Sequence, residues 1–242
     1  SEKGHEKIQD YGRKKIIFSD QNVILQSIKY KNKFLSNNLK LNIIKDKSKS
    51  KISNKLFIKD ISINSKTIKK NDVFFAIKGK KTDGNKFVSE ALKKGSSLAI
   101  VNQINKGCSL SKQVKVKDTL NFLTQCSSIF RENVEAKIIS ITGSCGKTTL
   151  KEMIGLTLKS ISRTTYSPKS FNNKYGVPLS LFNLRQDDEF GVFEVGMNKK
   201  GEIDTLTKIT KPDLGIITNI SYAHSKNFKN INQIAKAKAE II

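Results

Sequence analysis

Ile138-Ile139-Ser140-Ile141-Thr142-Gly143-Ser144-Cys145-Gly146-Lys147-Thr148-Thr149 is the stretch that decides the fold. Its first half is apolar and β-branched and predicts a buried strand. The strand stops at Gly143, and small residues carry the chain to Gly146-Lys147-Thr148. A helical pattern then runs from Thr149 to about Ser160, with Leu150, Ile154 and Leu158 four apart. Strand, glycine turn and helix start together predict a phosphate site. Backbone N–H groups at a helix N-terminus point at an anion, and the helix dipole favours negative charge there. Lys147 is expected to reach the β- and γ-phosphates, and the Thr148 hydroxyl to hold Mg²⁺. The full pattern G-x-x-x-x-G-K-[ST] asks for glycine at 141, where this chain has Ile141, so the match is to a shortened P-loop. A tight turn with a surface lysine is the plainer alternative. The placement of the turn between a strand and a helix argues against it.

Strands and helices alternate on both sides of this loop. Downstream, Thr164-Thr165-Tyr166 reads as a short strand. A polar loop, Ser170 to Pro178, enters an apolar helix over Leu179 to Leu184. Gly191 to Val195 is a strand with Glu194 near its C-terminal end, Gly201-Glu202-Ile203 starts a helix, and Leu214 to Thr218 is a fourth strand. Ile231 to Ile242 is helical. Such alternation predicts a parallel sheet with right-handed crossovers and ligands at the C-terminal strand ends. Gly143–Thr148, Glu194–Asn198 and Thr218–His224 all follow strand ends, so three loops are expected to meet at one site. Glu194 suits a hard divalent cation beside phosphate oxygens, although a strand-end carboxylate that simply reaches solvent fits the same pattern. His224, one of two histidines, is close to the expected phosphate site. Lys238, in Ala235-Lys236-Ala237-Lys238-Ala239-Glu240, reads as an ordinary solvated helical lysine.

Upstream, a smaller α/β unit is expected over 56–133. Ile61 to Ser65 alternates as a strand, and Val73 to Ile77 is a buried strand. Phe87 to Lys94 is a helix stopped by Gly95, and Leu98 to Val101 is a strand. Asp118 caps a helix to about Arg131. Residues 31–55 are rich in Lys, Asn and Ser and read as a linker. Within 1–30, Ser19-Asp20 is placed to cap a helix over about 21–30. The remaining 134–242 form the P-loop unit. The expected fold class is therefore α/β: a small N-terminal unit followed by a P-loop parallel-sheet unit.

Composition narrows the function. The net charge of +24 invites a nucleic-acid partner, yet only four of the 45 basic residues are arginine (Arg13, Arg131, Arg163, Arg185). Bidentate and stacking contacts to nucleic acid favour arginine. Lysine is instead spread through every segment, which points away from a nucleic-acid site. No apolar run approaches 18 residues, so no membrane insertion is expected. Cys108, Cys126 and Cys145 show no metal or disulfide spacing, and a reducing, cytoplasmic setting is the simplest reading.

Thr142 to Met153 resembles the P-loop of the Mur ligases, a family in which the shortened loop is usual. Three further segments resemble, in order, the member that joins D-alanyl-D-alanine to UDP-N-acetylmuramoyl-tripeptide. They are Ser170-Phe171-Asn172-Asn173 with Gly176-Val177-Pro178-Leu179, Glu194-Val195-Gly196-Met197-Asn198 with Gly201-Glu202-Ile203, and Thr218-Asn219-Ile220 with Ala223-His224. The N-terminal unit agrees. Asn64-Ser65-Lys66-Thr67 stands where the family usually has Asp-Ser-Arg, and Asp83-Gly84-Asn85 with Phe87 resembles its Asp-Gly-His-x-Phe segment. The resemblance covers about 56–242. A second one lies at the start: Lys3-Gly4-His5-Glu6, with Gln9, Gly12 and Phe18-Ser19-Asp20, is similar to the end of the family's diamino-acid-adding member. It implies a piece of a fusion, with the rest of the fused ligase chain as partner.

The resemblance implies an ATP-dependent carbon–nitrogen ligase of peptidoglycan precursor synthesis. ATP phosphorylates the tripeptide carboxylate, and the dipeptide amine attacks the acyl phosphate. The implied catalytic residues are Lys147, Glu194, His224 and Lys238. Gly143, Ser144, Cys145, Gly146, Lys147, Thr148, Thr149 and Asn219 are implied to bind ATP. Ser65, Lys66, Asp83, Gly84, Asn85, Asn172 and Asn173 are implied to bind the UDP-linked substrate. Thr148 and Glu194 would hold one Mg²⁺ and His224 a second, with Lys238 carrying a carbamate in related ligases. Central and C-terminal parts of the family's length are missing, so little ligase activity is expected of these 242 residues alone. The competing readings are a folylpolyglutamate-type ligase, a basic nucleic-acid-binding P-loop ATPase, and a non-catalytic remnant.

Overall fold

The computed structural model describes residues 39–53, 55–79, 82–222 and 227–242. The expected helix over 21–30, the segment around His5-Glu6, and His224 lie outside the described residues. Two four-stranded parallel sheets carry the architecture. In the first, β1 (Ile61–Ser62), β2 (Val73–Phe75), β3 (Leu98–Val101) and β4 (Gln113–Lys115) lie side by side in chain order. Every residue of β2 and β3 is buried, as in sheets covered on both faces. A 3₁₀ turn over Gly84–Phe87 and α2 (Val88–Lys93) cross from β2 to β3. Phe74, Ala76, Ala99 and Val101 pack with Val88 and Ala91 of α2 into an apolar core. β4 was not expected: Val114 is its only apolar residue, too little for a strand pattern.

α3 (Thr119–Glu132) covers the other face. The Asp118 carboxylate accepts from the Leu120 and Asn121 N–H groups at 2.8 and 2.9 Å, which satisfies orphan donors at the helix start. Phe122, Leu123, Cys126 and Phe130 form its buried stripe. Phe75 stacks on Phe122 with ring centroids 6.2 Å apart. The far end of α3 reaches the second sheet's helices. Phe130 meets Phe182 at 5.1 Å, and Arg131 Nε donates to the Thr210 carbonyl at 2.9 Å.

The reading of 31–55 as linker fails over its second half. α1 (Leu39–Ser48) is a helix with Leu39, Leu41, Ile43 and Ile44 buried, packed against α3. Those buried positions do not follow a 3.6-residue period, and polar residues, three of them lysine, fill the rest. Neither a stripe nor an apolar composition marks the helix.

The second sheet has the order β6–β7–β5–β8. Its strands are β5 (Lys137–Thr142), β6 (Thr164–Tyr166), β7 (Phe190–Glu194) and β8 (Leu214–Ile217). Its helices are α4 (Lys147–Ile161), α5 (Gly176–Leu181), α6 (Glu202–Thr210) and α7 (Ile231–Lys238), the last followed by a 3₁₀ turn over Ala239–Ile241. α5 starts earlier than the apolar run from Leu179 suggests. β5 is central, with Ile141 opposite both Glu194 of β7 and Ile216 of β8. The connection from β5 goes to β6 on one side, and the connection from β7 passes β5 to reach β8 on the other, which puts the C-terminal end of β5 at a topological switch point. The P-loop begins there.

Candidate active site

The P-loop backbone is tied to the loop after β8. Gly143 has φ +152, and a Cβ there would lie 1.8 Å from Thr218 Oγ1, so no other residue fits. The Ser144 N–H donates to the Asn219 carbonyl at 3.0 Å, and the Cys145 N–H to Asn219 Oδ1 at 3.1 Å. Ser144 Oγ accepts from the Ser221 N–H at 2.9 Å, and Thr218 Oγ1 donates to the Cys145 carbonyl at 2.6 Å. Two of the amides expected to face a phosphate are therefore committed within the protein. Asn219, expected at the nucleotide, is also a strut of the loop, with its Nδ2 on Cys145 Sγ at 2.9 Å. α4 starts at Gly146 (φ +76), carries no side-chain cap and has no acidic residue in its first turn. An uncapped helix N-terminus leaves N–H groups for an anion. Lys147 Nζ lies back along the loop, 2.8 Å from the Gly143 carbonyl and 3.4 Å from that of Ser144.

Glu194 does not reach solvent: it is 1% exposed. One of its carboxylate oxygens accepts from Thr148 Oγ1 at 2.6 Å, the other from Asn172 Nδ2 at 2.6 Å. The strand-end carboxylate, the P-loop hydroxyl and the Ser170–Asn173 loop are thus one chain of hydrogen bonds. Gly196 permits it, since a Cβ there would come within 2.9 Å of the Asn172 amide carbon. Asn173 does different work. Its Oδ1 accepts from the Tyr175 and Gly176 N–H groups, both at 3.0 Å, and so shapes the turn into α5.

These groups open on a cavity of about 660 Å³, lined by Lys147, Thr148, Asn172 and Glu194 and, on its other wall, by Met197, Asn198 and Leu206. Lys238 also lines it, and here the reading as a solvated lysine is wrong. The side chain is 2% exposed. Burial, with the Lys147 charge second, brings its amine down to about 8. Oxygen donors fit a hard cation at this place. Among the described residues no cluster of three His, Cys, Asp or Glu exists. Thr148 and Glu194 do stand together beside the uncapped helix start. Mg²⁺ is ordinarily held by one or two carboxylates, substrate phosphates and water, so this donor set suits it.

The five residues expected at the UDP end sit elsewhere, after the strands of the first sheet, and none lines this cavity. Ser65 Oγ donates to Glu90 Oε2 at 3.0 Å. Asp83 accepts from the side-chain and backbone N–H groups of Asn85, which hold its carboxyl below the ordinary range. The sequence reading missed Lys151. It lies one turn beyond Lys147 on α4 and is fully buried, with its ammonium on the Ser167 and Lys169 carbonyls at 2.7 Å each. Only its spacing from Lys147 and Gly155, the other buried residue of α4, could have marked it.

The model of the Mur ligase family catalytic domain matches residues 57–131, and that of the Mur ligase middle domain matches residues 141–242. The UDP-N-acetylmuramoyl-tripeptide–D-alanyl-D-alanine ligase of Rickettsia prowazekii (strain Madrid E) is 37% identical over 190 residues, 78% of this chain and 42% of that protein. The enzyme of the same name from Bacillus subtilis (strain 168) is 32% identical over 76% of this chain and 41% of its own. Among solved structures, MurF from Acinetobacter baumannii matches with a TM-score of 0.75 at 34% identity, over 83% of this chain and 45% of that one. MurF from Thermotoga maritima in complex with ADP matches with a TM-score of 0.69 at 32% identity, over 78% and 44%. The chain spans less than half the length of the curated relatives it matches. With one family model on each sheet, and the same fold in relatives more than 30% identical, the chain belongs to the Mur ligase family.

Proposed function

We propose that this chain carries the ATP site and the UDP-substrate unit of a ligase that adds D-alanyl-D-alanine to UDP-N-acetylmuramoyl-tripeptide. The names of its relatives, at 34–37% identity, favour that member of the family. The observation that carries the reading is the Thr148–Glu194–Asn172 chain of hydrogen bonds at an uncapped helix start, facing a cavity that also holds Lys147 and Lys238.

The N–H groups at the start of α4 and Lys147 bind the nucleotide phosphates and neutralise charge that develops on the transferred phosphoryl group. Mg²⁺, held by Thr148 and Glu194, supplies further neutralisation when bound. The tripeptide carboxylate attacks the γ-phosphorus, ADP leaves, and the acyl phosphate is taken up by the dipeptide amine with loss of phosphate. Asn172 keeps Glu194 oriented while the amide forms. Lys238 has the chemistry for the carbamate its resemblance implies. Burial raises its neutral fraction, and a neutral amine adds to CO₂ and releases a proton, leaving an anion that holds a metal. His224 would stand with it at a second metal. Ser65, Lys66 and Asp83–Asn85 would take the UDP end, in a cytoplasmic setting.

Calorimetric titration tests the reading. The chain is expected to bind ADP with Mg²⁺ and, separately, UDP-N-acetylmuramoyl-tripeptide. Absence of both overturns it, and hydrolysis stimulated by RNA or DNA with steep salt dependence would replace it with the nucleic-acid ATPase.

A further inference from the structure

Lys151 is the most anomalous side chain in the second sheet's unit. It is fully buried in α4, its ammonium 2.7 Å from the Ser167 carbonyl, 2.7 Å from the Lys169 carbonyl and 2.7 Å from Glu152 Oε1. The Tyr166 ring lies 5.8 Å away. A buried ammonium is tolerated only when its three donors are satisfied, and here they are. In so lysine-rich a chain any surface lysine is cheap, so a buried one has a specific task.

Its partners show the task. Lys151 sits one helical turn beyond Lys147 and Thr148, on a helix that begins at the P-loop. Ser167 to Lys169 lead directly into Ser170 and Asn172, whose side chains meet Thr148 and Glu194. Ser167 is joined to β7 as well: its N–H donates to the Val192 carbonyl at 2.9 Å, and its Oγ accepts from the Glu194 N–H at 3.3 Å. Lys169 has φ +49, a left-handed conformation that a non-glycine residue holds only under constraint, and its carbonyl is one of the three acceptors. The Lys151 ammonium thus ties the P-loop helix to the backbone of the segment that leads into Asn172, and the Thr148–Ser170 hydroxyl contact at 3.4 Å joins the same two pieces at the site itself.

We infer that Lys151 is a positioning residue: it fixes the segment 167–172 against α4 and thereby sets the Thr148–Glu194–Asn172 arrangement that receives Mg²⁺ with the nucleotide. The inference rests on the nucleotide–Mg²⁺ reading of the site. Its effect has a distinctive sign. By charge alone, removing a cation near a divalent-metal site strengthens metal binding. By position, removing the tether weakens it. Loss of stability alone lowers the ADP and Mg²⁺ affinities together.

The test is a calorimetric titration of the 242-residue chain and of Lys151→Met, first with ADP in chelator, then with Mg²⁺ on the ADP-loaded protein. The expected result is ADP affinity without metal within about threefold of the unchanged chain, and Mg²⁺ affinity weaker by about tenfold or more, the size seen when groups supporting metal ligands are removed. Unchanged or stronger Mg²⁺ binding overturns the inference. Should Lys151→Met not fold, Lys151→Gln is read by the same two constants with the same outcomes. Failure of the unchanged chain to bind ADP overturns the nucleotide reading, and the inference with it.

Discussion

The two sheets share strand direction and helix cover, yet they fill their interiors differently. Around the first sheet the buried side chains are Phe74, Phe75, Val88, Leu98, Ile100 and their like, and the one buried charged group among the described residues of 57–131 is Asp72, whose Oδ2 accepts from the Lys69 N–H. Around the second, Glu194 and Lys238 are buried at the edge of a cavity and Lys151 directly behind it. Burying charge is costly unless each group is paired or hydrogen-bonded. The first sheet puts its buried surface into stability. The second gives up part of that return to hold a charged site in fixed geometry.

Substitutions can break or sharpen that contrast. The largest expected effect is Phe74→Ala in the first sheet, which should lower unfolding free energy by about 3–5 kcal/mol. Chemical denaturation measures it, and ADP affinity of the folded fraction should not change. If ADP binding weakens along with stability, the sheets are not separable. Lys147→Ala should do the reverse. It removes a charge-assisted phosphate contact worth about 1.5–3 kcal/mol, so ADP binding falls about 10- to 100-fold while the melting temperature holds.

Lys238→Met comes next and has a pH signature. The folded-state amine titrates near 8, below the ordinary 10.5. The folded chain therefore disfavours the ammonium, and the penalty is complete below pH 8. It fades as pH rises from about 8 towards the unfolded value. The variant should gain on the order of 1–3 kcal/mol at pH 7, seen as a melting temperature a few degrees higher, with the gain falling above pH 8 and lost once the pH passes 10.5. A gain that grows with pH would refute the buried-amine account. The smallest effect is Asp118→Ala. Loss of the α3 cap should cost about 1 kcal/mol in denaturation and leave nucleotide binding unchanged.

Legibility in the sequence followed the same division. The β5–loop–α4 unit and the Asp118 cap were readable because each depends on residue types with few alternative uses: glycines in a turn, or aspartate before an apolar period. Glu194 was readable as a candidate because an acid is conspicuous in an apolar strand. Lys151 and Lys238 were hidden because lysine is the commonest way this chain fills any exposed position, so identity carried no information about burial. α1 was hidden for a related reason, since lysine and asparagine between its buried residues erase the helical period. The pairing of Asn219 with Ser144 and Cys145 joins residues more than 70 positions apart, and nothing local announces it.

That pairing has a kinetic consequence. A P-loop already fastened by Thr218, Asn219 and Ser221 has little ordering entropy left to lose when a nucleotide arrives. Encounter is then governed by diffusion and by the field of a chain with net charge +24 acting on a polyanion. Nucleotide association should be fast and should slow with salt, and substitutions in the cavity should change residence time far more than arrival.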